Sequence, residues 1–465
     1  VSSSDRQRDL RRFPNRWISV RKYWRPTFTR AGLDQQAAQW WEVAGASAVA
    51  SGAFLEAIEH LKAGLSLVER LPESSSRDAL ELKINISLGI AILSIMGYAS
   101  PDLESIYDRR AVLCQKLGDP MAQLHALWAK GSWRIVSDDV VPCIEIGQSM
   151  MPMAEQIDDD GARTEALFID AIGRYYHAEF AASLQSTQKG MQLFDADKAI
   201  YHLRRTGQHA GVAHLCYLAL NQWHLGQPNS AMASMRQGLE MAETLDHPFS
   251  VAFALHHHSW LSVSMGRGDE AVKMADRQIE VSQQQAFFFW ETTAMLYRAG
   301  GLLCTGDTQA ANEVLDEAIT RYQGTGARLA TPLYMSYVAS AKRQIGDLAA
   351  AEHAVHRGLD AANTFADRFA LPELWRQKAR LAQSQKDRGG VAESLLNSVD
   401  VSRDHQAITD ELASWLHIQR WLQQSGLEVI GNLDQQSYSV EEVQETINRL
   451  RAQIQPADFD IPTLT

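Results

Sequence analysis

The chain has 465 residues, 45% of them hydrophobic and 22% charged, with a formal net charge of −12, a balance that excludes wholesale disorder and allows a large core. That acidity excludes a general nucleic-acid binder, which needs clustered Lys and Arg to neutralise phosphates. Four scattered cysteines, Cys114, Cys143, Cys216 and Cys304, with no Cys-x-x-Cys pair, exclude a disulfide scaffold and a zinc knuckle and imply a reduced, cytoplasmic setting.

Val1-Ser-Ser-Ser-Asp5 leads into arginine-rich sequence with no apolar run, so no secretory signal is read there. From Arg6 to Arg25, basic residues interleave with Trp17, Tyr23 and Trp24. Such a cluster is able to touch nucleic acid or acidic lipid, but a disordered basic lead-in over residues 1–30 is the preferred reading. Trp41, Gly45, Gly52 and Ala57, followed by Leu61, Gly64 and Pro72, then give the spacing of a tetratricopeptide helix pair. The most apolar stretch, Ile84 to Ala99, is interrupted by Asn85, Ser87 and Ser94 and is shorter than the roughly 20 residues of a membrane span. It reads as a buried helix.

Met150, Met151 and Met153 read as core filler. Asp158-Asp159-Asp160-Gly161 imitates a calcium loop, but placing the glycine at loop position six puts Gln156 first and Leu167 last, so calcium binding is rejected. Ala178-Glu179-Phe180 resembles a degenerate repeat turn, and Asp195 to Gly211 reads as an insertion between repeats, a linker rather than a projecting binding loop.

The central chain carries a sharp period. Gly226, Gly266, Gly306 and Gly346 are 40 residues apart. Each is followed by an alanine (Ala231, Ala271, Ala311, Ala351) and then a large aliphatic (Leu239, Ile279, Ile319, Leu359), and each is preceded by a small residue (Ala219, Ser259, Ala299, Ala339). Glycine ends a first helix in the left-handed conformation, small residues let the helices close, and the aliphatic column predicts the buried stripe of the second helix. A lone pair cannot bury its apolar face, so pairs must stack into an all-α solenoid. The period is longer than a standard tetratricopeptide repeat and overlaps HEAT and armadillo lengths, but the Trp41 and Gly45 pattern decides for tetratricopeptide-like pairs. Gly426 continues the register, although Lys386 stands where a glycine is expected. The resulting organisation is a lead-in over 1–30, a solenoid of about twenty helices with no sheet over 31–424, and a capping helix and tail over 425–465.

Gly266-Arg-Gly-Asp-Glu-Ala271 matches a dinucleotide fingerprint formally, but it follows a helix rather than a strand, so no cofactor is assigned. His256, His257 and His258 point about 100° apart on a helix and cannot share a metal. His353 and His356 share a face without a third ligand and read as solvated.

Phe28-Thr-Arg-Ala-Gly-Leu-Asp-Gln-Gln-Ala37, Gly97-Tyr-Ala-Ser-Pro101, Cys114-Gln-Lys-Leu-Gly-Asp119, Gly207-Gln-His-Ala-Gly-Val212 and the run from His247 to His256 together resemble the C-terminal tetratricopeptide region of large bacterial signalling proteins. Those proteins join an adenylate/guanylate cyclase domain, a STAND-type AAA ATPase and a helical repeat arm. The resemblance runs from about Phe28 to about Gln383 and fades beyond Asp387. It implies a non-catalytic interaction or ligand-sensing arm. Cyclase and ATPase activities do not carry over, because the phosphate-binding Gly-x4-Gly-Lys-Ser/Thr loop and the cyclase carboxylates are missing from this sequence. Residues 15–27 depart from the family between matching flanks, which points to a truncated or frame-shifted reading frame.

Tyr217, His257, Tyr297 and Tyr337 recur at the same period, nine residues before each turn glycine, on the first helices. With Trp223 and Trp260 as neighbouring anchors, they predict an aromatic ladder along a concave groove; interhelical packing is the competing reading. The expected partner is a protein or peptide, or a small-molecule effector, with no nucleic acid, membrane, metal or cofactor. A free-standing adaptor and, behind it, an enzyme on a helical scaffold are the alternatives.

Overall fold

The computed structural model describes residues 34–431 and 436–455; the basic lead-in lies outside them. Four helix pairs come first: α1 (Asp34–Ala50) with α2 (Phe54–Val68), α3 (Ser75–Met96) with α4 (Pro101–Leu117), α5 (Pro120–Ser137) with α6 (Val141–Ile157), and α7 (Asp160–Tyr176) with α8 (Phe180–Leu193). After a 3-10 turn at Ala196–Lys198 and the short α9 (Ala199–Thr206), five pairs carry the 40-residue period. They are α10 (Ala210–His224) with α11 (Pro228–Leu245), α12 (Pro248–Ser264) with α13 (Gly268–Gln285), α14 (Phe288–Thr305) with α15 (Thr308–Gly324), α16 (Thr331–Gln344) with α17 (Leu348–Phe365), and α18 (Leu371–Ser384) with α19 (Arg388–Asp404). The chain continues through α20 (Ile408–Ser425), an antiparallel ribbon of β1 (Val429–Gly431) and β2 (Ser437–Ser439), and α21 (Val440–Gln453), which starts on a Ser439/Glu442 capping box. The solenoid proper has no strand among its described residues; the ribbon after it was not expected.

The repeat is finer than its glycines show. Every twentieth residue from 226 to 426 has a positive φ. The turn within each pair uses Gly226, Gly266, Gly306, Gly346 and Lys386, with Gly426 in the same place after α20, whereas the turn between pairs uses Asp246, Ala286, Gly326, Ala366 and Gln406. Left-handed backbone closes each helix end, and Lys386 takes it at φ 62 where the glycine column breaks. The alanine column Ala231, Ala271, Ala311 and Ala351 is fully buried. Of the aliphatic column only Leu239 is buried, while Ile279, Ile319 and Leu359 are half-covered. Closest approach falls one residue earlier, where a Cβ on Gly358 would stand 2.7 Å from Leu374.

First helices pack on first helices, and the solenoid coils tightly enough for successive superhelical turns to touch. The backbone N–H groups of Arg328 and Leu329 donate to the Val136 carbonyl at 2.8 and 3.3 Å. One repeat later in both turns, Arg368 and Phe369 donate to the Tyr176 carbonyl at the same distances. Phe54 meets Phe287, and Tyr98 meets Phe289 and Trp290, across the same seam. The segment 195–211 neither links loosely nor projects: α9 lies against α1, α3 and α5, with His202 and Thr206 buried. Helix α3 is long and apolar enough to cross a membrane, but 78% of its apolar window is buried within the fold.

Candidate functional site: the inner face

The residues assigned to the groove lie on the first helices, as their spacing requires, but the groove is closed over them. Tyr217, His257, Tyr297 and Tyr337 are 6%, 2%, 0% and 4% exposed, and Trp223 and Trp260 are 5% and 2% exposed. The column is packing, and the concave ladder is corrected accordingly. Its ring and hydrogen-bond contacts run to other first helices and to the adjoining superhelical turn. Tyr217 meets His257 edge-on at 5.1 Å and hydrogen-bonds the Tyr176 hydroxyl at 3.3 Å. Trp260 stacks on Tyr297 at 6.0 Å and touches Phe369, from the other superhelical turn, at 5.1 Å. The rings fill the bore of the superhelix, and neighbouring turns seal it. His257 donates from Nδ1 to the Phe253 carbonyl, and burial lowers it to about 4, so it is neutral. His256 and His258 are buried too, and His353 and His356 are exposed.

Buried polar groups pin the turns. Asp367, 1% exposed, accepts from the Ala330 N–H at 2.7 Å, and burial raises its carboxyl to about 8. Glu165 on α7 bridges His125 on α5 at 2.8 Å and His202 on α9 at 2.7 Å. Burial would raise Glu165, but the two imidazoles overcome it and hold the carboxylate at about 2. Tyr175 donates to His224, whose Nδ1–H donates to Asp410 at 2.7 Å, and the Thr409 hydroxyl donates to the Trp223 carbonyl 186 residues away.

What remains of the bore is small. One cavity among Tyr98, Tyr217, His257 and Trp290, and another beside Trp260, Tyr337 and Asp410, each hold about 70 Å³, below the few hundred Å³ of a ligand site. A cavity of about 440 Å³ instead opens where α16, α18 and α20 succeed one another, between Arg343, Arg380, Arg420, His417 and Trp421. None of these five was singled out in the sequence; Arg380 and Arg420 do share the 40-residue spacing.

No described protein family matches the chain. An uncharacterized protein of Rhizobium meliloti (strain 1021) is 23% identical over 395 residues, a match that covers 81% of this chain and 37% of that protein. The chain thus spans little more than a third of the curated relative's length. Among solved structures, a Rap protein complexed with Competence and Sporulation Factor superposes with a TM-score of 0.56 at 14% identity, covering 80% of this chain and 99% of that one. Aspartyl phosphate phosphatase F from Bacillus subtilis gives a TM-score of 0.43 at 10% identity, covering 84% and 99%. The fold is an all-α, tetratricopeptide-like helical-repeat solenoid.

Proposed function

We propose that this solenoid is a non-catalytic interaction arm, cytoplasmic, belonging to a signal-transduction protein of the cyclase/ATPase type and taking a protein or peptide partner. The observation that carries this reading is the extent of the Rhizobium meliloti match: the stretch similar to this solenoid makes up 37% of a longer chain, as an arm would. The reduced thiols fit a cytoplasmic setting, since all four cysteines are free and three are buried. Because the middle of the bore is packed with rings, a macromolecular partner docks on the outer helices or the edges of the coil.

The test has two parts. Translating the DNA upstream of Val1 in three frames should reveal a Gly-x4-Gly-Lys-Ser/Thr loop; a stop codon with no such loop in any frame favours a free-standing adaptor. The purified chain should turn over neither ATP nor GTP, and hydrolysis or cyclisation that co-purifies with it through two columns would end the non-catalytic reading.

A further inference from the structure

The 440 Å³ cavity carries a lining of one charge sign. Its floor and walls come from the last turn of α16, the second half of α18, the first half of α19 and the last turns of α20. Three of its eleven lining residues are arginines and none is acidic, in a chain whose net charge is −12. Two carboxylates, Glu373 and Asp410, stand behind the arginines without lining the cavity. Glu373 accepts from Arg376 at 2.8 Å, Gln377 at 2.7 Å and Arg380 at 3.2 Å. Asp410 is held by His224 and by Arg376 at 3.3 Å. Both acids line the neighbouring 70 Å³ cavity instead. Arg376 is therefore spent between them, while Arg380, which also reaches Glu373, lines the larger space with Arg343 and Arg420.

His417 does not add to that charge. Its Nδ1–H donates to the Ala413 carbonyl at 2.8 Å, leaving Nε2 to accept from Arg380, so the ring is held neutral. Arg343 is half-buried, and its Nε is buried with no acceptor. Burial lowers Arg343 from the ordinary arginine range, and burial beside Arg376 and Arg343 brings Arg380 down to about 10 against the pull of Glu373. A buried guanidinium donor without an acceptor is costly unless a ligand supplies one. Opposite the arginines stands an apolar wall of Val391, Leu395 and Trp421, all buried, while Gln383 and Gln424 join at 3.0 Å on the exposed rim.

We propose that this cavity binds a small organic anion, its phosphate or carboxylate group held by Arg343, Arg380 and Arg420 and its apolar body set against Trp421, Val391 and Leu395. Guanidinium forks match the planar oxygens of both groups, and the volume suits a molecule of about nucleotide size. An extended peptide is disfavoured because the inner face beyond the cavity is filled with rings. The site is independent of the signalling assignment above and stands or falls without it.

The experiment is thermal unfolding and calorimetric titration of the full chain with inorganic phosphate, adenosine monophosphate and citrate, at ionic strength matched with sodium chloride. Adenosine monophosphate or citrate should raise the melting temperature beyond the chloride control, and the productive arm identifies the head group. Adenosine monophosphate, if it binds, should do so at least about tenfold tighter than phosphate because of the apolar wall. Arg343→Gln and Arg420→Gln should each weaken binding by about tenfold or more, the worth of one charge-assisted contact. Arg343→Gln should melt, unliganded, at or above the wild-type temperature, because it removes an unaccepted buried donor. Arg380 is left intact because Glu373 depends on it. The proposal is overturned if no anion acts beyond chloride, or if the two variants respond like the wild type.

Discussion

Asp367→Asn tests the account of the turn-to-turn seam at a single atom. Asp367 sits in the linker between α17 and α18 with one carboxyl oxygen on the Ala330 N–H and the other buried without a partner. Burial raises its folded-state value from 3.8 to about 8. At neutral pH the folded chain therefore keeps this proton while the unfolded chain releases it. A carboxyl shifted upward contributes stability that is fully present below the unfolded value and is lost as pH rises toward the folded one. Each pH unit within that window is worth about 1.4 kcal/mol, so from pH 5 to pH 7 this group removes about 2.7 kcal/mol. Asparagine keeps an oxygen for Ala330 and carries no charge in either state. Urea unfolding of both proteins at pH 5, 6 and 7 should show the variant gaining on the wild type by about 2.7 kcal/mol across that range, since all other titrations cancel in the difference. Parallel stability–pH curves would refute the burial argument for Asp367.

Tyr297→Ala should lower stability by about 3–5 kcal/mol, as for an aromatic removed from a core, and a variant with wild-type urea midpoint would reopen the groove. Gly97 has φ +88, and a Cβ there would lie 2.6 Å from Phe289 of the adjoining turn; Gly97→Ala should cost about 2 kcal/mol or more, and an unchanged melting curve would mean that the turns do not touch there. Burial lowers His209, His214, His247, His257 and His405 to about 4 each. Depressed histidines contribute stability present above about pH 6.5 and lost as pH falls toward 4. Between pH 7 and 5.5 these five cost about 6 kcal/mol, offset by about 2 from Asp367, a loss of roughly 4 kcal/mol to which His256 and His417, lowered further by burial, only add; a flat urea midpoint over that range would contradict their neutrality.

The repeat was legible because its signals are local. A glycine ending one helix and an alanine at the next crossing are dictated by contacts inside one pair, and they recur wherever the pair recurs. The other half of the turns was silent, since Asp246, Ala286, Ala366 and Gln406 adopt the left-handed conformation with side chains that carry no strong turn preference apart from Asp246. There the conformation is imposed by the packed helices on either side, and the same imposition explains why the array runs on through Lys386 where its glycine column breaks.

The aromatic column was placed on the correct helices and misjudged in environment, and the cause is distance along the chain. Whether Tyr297 faces solvent is settled by how far the array coils before it meets itself. The contacts that settle it join Trp260 to Phe369, Tyr176 to Arg368 and Trp223 to Thr409, beyond the reach of any periodicity within a few repeats. Coil pitch is the accumulated rotation of many interfaces, so a small error per repeat moves an aromatic from open groove to sealed bore. The same reasoning explains the arginine cavity. Arg343, Arg380 and Arg420 belong to three successive first helices, and each alone reads as an ordinary surface cation. Only the path of α16, α18 and α20 past the filled bore brings them to one space, with Glu373 and Asp410 lining the neighbouring cavity.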